Sequence, residues 1–382
     1  MQIKIPKLKS RYIPVHNKHY AINDNVHWWK ESSPFNYPNV LINLIGTTKK
    51  EIDSIKENSN DLFLLTDSGG FQVISGNCSL DWKHSLLKQI ELGASKIFAF
   101  DIPPVKQKFE GSLNQFIYMC DKDTKNIIEQ NINTALKQSE FLKEHHPDSF
   151  KRFCYIVHGK TKEQIDHNFI ILNKKINGID NYSDYFPGGV VYAAKNNDIM
   201  FIAMAARHAF DNFISKGKYV HFLGLGSFSR MLILIRNEIT TFDSSSVLQG
   251  ARANGFTNII DISKEMQIPT SGYFLKGQFC ICPVCSQVDY DELLKNNKPI
   301  GKFFISHNLW HLLKINCFLD KLDKTSYTDV VKNNFKVNTQ VIKALEFIDE
   351  CEKIGLEKAM LKFSVFFKDY ADTKTQSSIF NF

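Results

Sequence analysis

Short apolar runs that end on a polar residue or a glycine recur along this chain, and stretches of helical periodicity lie between them. The clearest runs are VLINLIG (40–46), LFLLTD (62–67), KIFAFD (96–101), FCYIVHG (153–159), VHFLGLG (220–226) and EITTFDS (238–244), with YFPGGVVY (185–192) and RYIPV (11–15) less regular. Between them, LDWKHSLLKQIEL (80–92), residues 117–142 and IMFIAMAARHAFDNFI (199–214) carry the helical spacing. Near-continuous apolar strands alternating with helices predict a parallel sheet covered on both faces. Eight such units predict an α/β fold of the (β/α)8, or TIM-barrel, kind, whose functional groups gather at the carboxyl ends of the strands. Asp67, Asp101, His158, Gly224, Gly226 and Asp243 all fall there. In LLTDSGGFQV (64–73) a carboxylate tops a strand, and Gly69 and Gly70 would let the next backbone pass close to a ligand.

No internal repeat or Pro/Gly/Ser-rich linker divides the chain, so one elaborated domain is expected. The 382 residues are 43% hydrophobic, enough for a large core. No apolar stretch approaches the length of a membrane span, and the opening MQIKIPKLKSRY has no apolar block, so the expectation is a cytoplasmic protein with no membrane partner. Only six of the 47 basic residues are Arg, and the net charge of +7 is carried by scattered Lys. That favours a phosphate-bearing partner, although a Lys-rich solvated face has the same composition.

After about residue 265 the alternation stops, and GQFCICPVCSQ (277–287) follows, then FFISHNLWHLL (303–313). Cys280, Cys282 and Cys285 predict three thiolates from a tight knuckle, with a histidine from the next helix completing a structural, four-coordinate zinc site. His307 and His311 compete for the fourth position, because residues four apart share a helix face.

These motifs together resemble the tRNA-guanine transglycosylases. The resemblance rests on TDSGGFQV (66–73), FAFD (98–101), VHG (157–159), PGGV (187–190), FLGLGS (222–227), TTFDS (240–244) with ARANG (251–255), and CICPVC (280–285) with HNL (307–309), in the family's order over residues 60–315. It implies a (β/α)8 barrel with a late-inserted zinc subdomain. Residues 1–60 would hold a divergent segment with the first strands, 61–265 the barrel and active site, 266–320 the zinc subdomain with Cys280, Cys282, Cys285 and His307 as ligands, and 321–382 closing helices. The implied activity is that of a pentosyltransferase, which replaces guanine in tRNA by a 7-deazaguanine base through a covalent ribosyl-enzyme intermediate. Asp243 matches the nucleophile and Asp67 the general acid and base. Asp101 matches the acid that grips the guanine edge, and Phe71 stacks on the base opposite Leu223. Ser68, Gly69, Gly70, Gln72, His158, Gly159, Gly188, Gly189 and Gly224 line the pocket. Arg252 is read as a phosphate or sugar contact, and homodimerisation is implied by the family's bacterial members.

Each residue has a plainer reading. A strand-terminal Asp such as Asp67 or Asp243 is also a common helix N-cap, Phe71 is one of 31 Phe residues, and a lone His158 reads as a core histidine. The chain departs from the family at His158 and Lys160, where Gln and Gly are usual, in FDSSSVLQ after the nucleophile, and throughout its first sixty residues. Two alternatives follow: the same exchange on DNA, and a non-catalytic RNA-binding member, although members of the latter kind have lost carboxylates that this chain keeps.

Overall fold

The computed structural model describes residues 3–16, 27–31, 33–57, 59, 61–76, 79–110, 113–176, 184–187, 199–245, 247, 282–284, 286, 300–335 and 337–367. Each of the eight apolar runs contains a strand: β1 (Arg11–His16), β2 (Asn39–Ile42), β3 (Phe63–Thr66), β4 (Ile97–Phe98), β5 (Phe153–Val157), β6 (Asp184–Pro187), β7 (His221–Phe222) and β8 (Thr241–Ser244). Every pairing among them is parallel. One five-stranded sheet, in the order β7-β8-β1-β2-β3, forms a half-barrel, and a three-stranded ladder runs β6-β5-β4. Ser95 joins the two at one edge: its N–H donates to Leu64 O at 2.7 Å and its hydroxyl accepts from Leu64 N–H at 3.0 Å. At the other edge β6 packs beside β7.

Strands β2 to β5, β7 and β8 are shorter than the runs that announce them, with residues such as Asp67, Asp101 and His158 lying just past the strand ends. All five residues of β5 are buried, as a strand covered on both faces requires. The covering helices are α1 (Lys49–Glu57), α2 (Gly70–Ile74), α3 (Trp82–Glu91), α4 (Asp121–His145), α5 (Lys162–Ile176), α6 (Ile199–Asn212) and α7 (Phe228–Arg236). Asp81 caps α3 by accepting from His84 N–H at 2.8 Å.

One expected helix starts late. Residues 117–118 belong to an antiparallel hairpin, Val105–Glu110 with Leu113–Tyr118, inserted after β4, and α4 begins only at Asp121.

Three later helices, α8 (Ile300–Leu319), α9 (Tyr327–Asn334) and α10 (Thr339–Ile354), are followed by α11 (Leu356–Lys362). Helix α10 packs on α6 and α7. Buried Arg236 fixes that contact, reaching Asp349 at 2.8 Å and Glu352 at 2.6 Å. Helix α8 holds β1: Asn316 accepts from Tyr12 N–H at 3.0 Å and donates to Ser10 O at 2.9 Å, while Asp320 accepts from the N–H groups of Lys9 and Ser10. No helix among the described residues is long and apolar enough to cross a membrane.

Candidate active site

Asp67 follows directly on β3, its N–H still in the ladder to Ile42 O. Its carboxylate accepts from Leu44 N–H at 2.8 Å, Gln72 Nε2 at 2.9 Å and Asn43 Nδ2 at 3.1 Å. Asn43 is itself locked, because its Oδ1 accepts from the N–H groups of Ile45 and Gly46. These partners belong to the loop after β2 and to α2, so Asp67 does not cap a helix. Burial pushes its pKa up to about 6; the bonds from Leu44 and Gln72 pull the other way, and the charges of Asp101 and Asp243 add to the rise.

A carboxyl that ionises late in the folded state destabilises that state at neutral pH. Between pH 3.8 and about 6 the folded protein keeps a proton that the unfolded chain has released, so stability falls as pH rises through this window. The full penalty above it is roughly 3 kcal/mol. Asp67→Asn is therefore expected to melt above the wild type at pH 7.5, with the gap closing as the pH falls toward 4. Equal gaps at both pH values in thermal melts would contradict this.

Both glycines are fixed by close contacts within the protein. Gly69 has φ +80°, and a Cβ there would lie 2.5 Å from Leu80 Cδ2; at Gly70 a Cβ would lie 1.6 Å from the backbone oxygen of Asp101. The loop after β3 thus presses directly on the end of β4. There the Ser68 hydroxyl donates to Asp101 Oδ1 at 2.6 Å, and Ser68 O accepts from Ser85 Oγ at 2.7 Å. The other Asp101 oxygen lies 2.9 Å from His158 Nε2, at the end of β5. Neither ring nitrogen of His158 has an aligned hydrogen-bond partner among the described residues, so this is a close approach without hydrogen-bond geometry. Asn168 on α5 clamps the His158 backbone, donating to its O at 2.6 Å and accepting from its N–H at 3.3 Å. Gly159 fits tightly against Ile165.

Asp243 sits within β8, 4% exposed. Its Oδ1 accepts from Gly224 N–H at 2.8 Å and meets His221 Nε2 at 3.1 Å. Its backbone O accepts from Gly226 N–H at 2.7 Å, and Gly226 lies flat on the Tyr12 ring, where a Cβ would come within 2.6 Å. Gly224 takes φ +71°, and Leu223 beside it packs on the core. Burial, and next the charge of Asp243, raise the Tyr12 phenol well above its ordinary pKa. Among the described residues, Asp243 accepts from no helix N-terminus. The sequence-predicted residues Asp67, Ser68, Gly70, Gln72, Asp101 and His158 thus form one contact network, and Asp243 joins it electrostatically through Asp67.

Gly188, Gly189, Arg252, Cys280 and Cys285 lie outside the described residues, as does the Phe71 side chain; the Phe71 backbone belongs to α2. At the remaining metal positions, donor atoms of Cys282, His307 and His311 lie within 4.8 Å of one another, all three buried. Cys282 Sγ is 3.5 Å from His307 Nδ1. A tetrahedral ion with Zn–S and Zn–N bonds of about 2.3 and 2.0 Å separates two ligands by roughly that distance. The three donors could hold a metal ion, and both histidines left open by their spacing face the cysteine.

No protein-family model matches this chain, and no curated protein matches its sequence. Two site residues escape motif reading. Asn43, which orients Asp67, is the only polar side chain in VLINLIG, and His221, which meets Asp243, is the only one in VHFLGLG. A polar residue within an otherwise apolar strand run is the signal that could have found both.

Proposed function

We propose that this protein is a base-exchange transglycosylase, which replaces guanine in a nucleic acid by a 7-deazaguanine through a covalent Asp243–ribosyl intermediate. The observation that carries the reading is Asp67, a carboxyl raised to about 6 whose charge is felt together with those of Asp101 and Asp243. Glycosidic exchange needs two carboxyl groups of different character, one to attack and one to carry a proton. Asp243 Oδ2 gives an electron pair to C1′, the C1′–N9 pair leaves with guanine, and Asp67 protonates the departing base. The incoming base loses its N9 proton to Asp67 and bonds to C1′ as the pair returns to Asp243. A group with a pKa near 6 suits both directions at neutral pH. Asp101, with Ser68 and His158, receives the N–H edge of the base, which must leave its stack to reach them.

In this reading the half-barrel and the ladder are arcs of one closed (β/α)8 barrel, with β1 to β8 neighbouring in chain order and the acids at one rim. The Cys/His cluster holds a structural zinc, through Cys280, Cys282, Cys285 and His307 or His311. Elemental analysis of untreated protein should return one zinc per chain, and Cys282→Ser should lose it and speed proteolysis between about 270 and 320. Finding no metal would end that assignment.

The polymer is tRNA in the leading reading. The same exchange on DNA is the second reading, resting on the departures in FDSSSVLQ and in the first sixty residues, segments that would shape contact with the polynucleotide. Labelled guanine supplied to the purified protein with tRNA or with duplex DNA decides: label in tRNA supports the first, label only in DNA the second, and uptake in neither rejects base exchange.

A further inference from the structure

Among the described residues, Asp243 is held on one oxygen only. Its Oδ1 accepts from Gly224 N–H and contacts His221 Nε2, and His221 is completely buried between β8 and the Phe98 ring, 5.5 Å away. On its far side His221 Nδ1 lies 2.8 Å from Thr241 Oγ1, which lies 2.6 Å from the Tyr219 hydroxyl. The parallel register sets His221 directly opposite Thr241, so the backbone itself imposes this alignment.

Donor and acceptor chemistry orders the chain. An ionised Asp243 only accepts, so Nε2 carries the proton. The bare Nδ1 of a neutral ring then accepts from the Thr241 hydroxyl, and Thr241 Oγ1 accepts from Tyr219. Thr241 and Tyr219 thereby fix both the tautomer and the ring plane of a histidine buried beside a carboxylate.

We propose that His221 is the positioning residue of the Asp243 nucleophile: by donating from Nε2 to Oδ1 it leaves Oδ2 to attack C1′, and it stabilises the carboxylate that departs when the intermediate breaks down. The proposal deepens the exchange reading and rests on it. In breakdown the Oδ2–C1′ electron pair returns to Asp243 while the incoming N9 bonds to C1′, and a donor on Oδ1 favours the charge that reappears. In formation the same donor stabilises the starting carboxylate and gives no advantage. Loss of His221 therefore slows the second half-reaction more than the first.

His221→Phe keeps the ring shape and removes the donor, whereas His221→Gln places an amide nitrogen near the Nε2 position. For His221→Phe the expected result is a turnover roughly 10²-fold lower, the usual loss when one preorganised donor to a developing charge is removed, with KM for the incoming base changed less than about threefold. The covalent enzyme–polymer adduct, read on denaturing gels, should rise per enzyme as turnover falls. His221→Gln should recover to within about tenfold of wild type. Wild-type turnover in His221→Phe, or equal losses of turnover and adduct in both variants, would overturn the proposal. Nitrogen-15 spectra of labelled full-length protein, with His221 assigned by its absence from His221→Phe, read the tautomer without turnover. Nε2–H is expected, and Nδ1–H would overturn the proposal. Wild-type protein inactive on both polymers would instead reject the exchange reading, and the tautomer would then decide by itself how His221 meets Asp243.

Discussion

On the proposed exchange reading, Asp243→Asn is expected to lower base exchange by roughly 10⁴-fold or more, the scale at which removing a covalent nucleophile is felt, and to abolish the covalent adduct. The fold should survive, because asparagine keeps an oxygen for the Gly224 N–H and His221 contacts that Asp243 Oδ1 makes. Adduct formation on denaturing gels and label uptake measure the two losses separately. An active Asp243→Asn protein would place the nucleophile elsewhere and, with it, dismiss the assignment of Asp67 as its acid partner.

Among the described glycines, Gly70→Ala should add the most damaging single methyl group. The added Cβ would lie 1.6 Å from the Asp101 carbonyl oxygen, and that atom belongs to backbone, which cannot rotate aside. Either the loop lifts or the end of β4 retreats, and both break the 2.6 Å bond from Ser68 to Asp101. Forced overpacking against a fixed backbone costs on the order of 4 kcal/mol or more. The expected outcome is a protein that melts far below wild type, or is insoluble, and that exchanges no base. Gly76→Ala is the control: its φ is +72° but nothing lies within 4 Å, so only the left-handed penalty of about 1 kcal/mol applies. Similar melts for Gly70→Ala and Gly76→Ala would contradict the contact between the loop and β4.

The eight strands and the flanking helices are legible in the sequence because parallel strands buried on both faces leave unbroken apolar runs, and β5 and β8 lie inside theirs. Their ends are less so: VHFLGLG yields two strand residues, since Gly224 at φ +71° turns away to serve Asp243. The hairpin after β4 escapes the pattern because neither VKQKFE nor LNQFIY alternates cleanly and the second run merges into the helical spacing that follows. A glycine after a strand signals close approach, but only the fold says to what, and at Gly70 the nearest atom to an added Cβ is the Asp101 carbonyl oxygen. Asn43 and His221 act through atoms far away in sequence, 24 and 22 residues from the acids they hold, which no local motif encodes.

The hold of α8 on β1 has a consequence for how the chain is made. Strand β1 is the first of the eight to be synthesised, yet its neighbour β8 ends at residue 244, and the side chains that tie down its start, Asn316 and Asp320, emerge more than 300 residues after the groups they bind. Contacts so distant along the chain form late and slow the folding rate. On the ribosome, β1 therefore waits, without its full set of partners, until residue 320 has been translated.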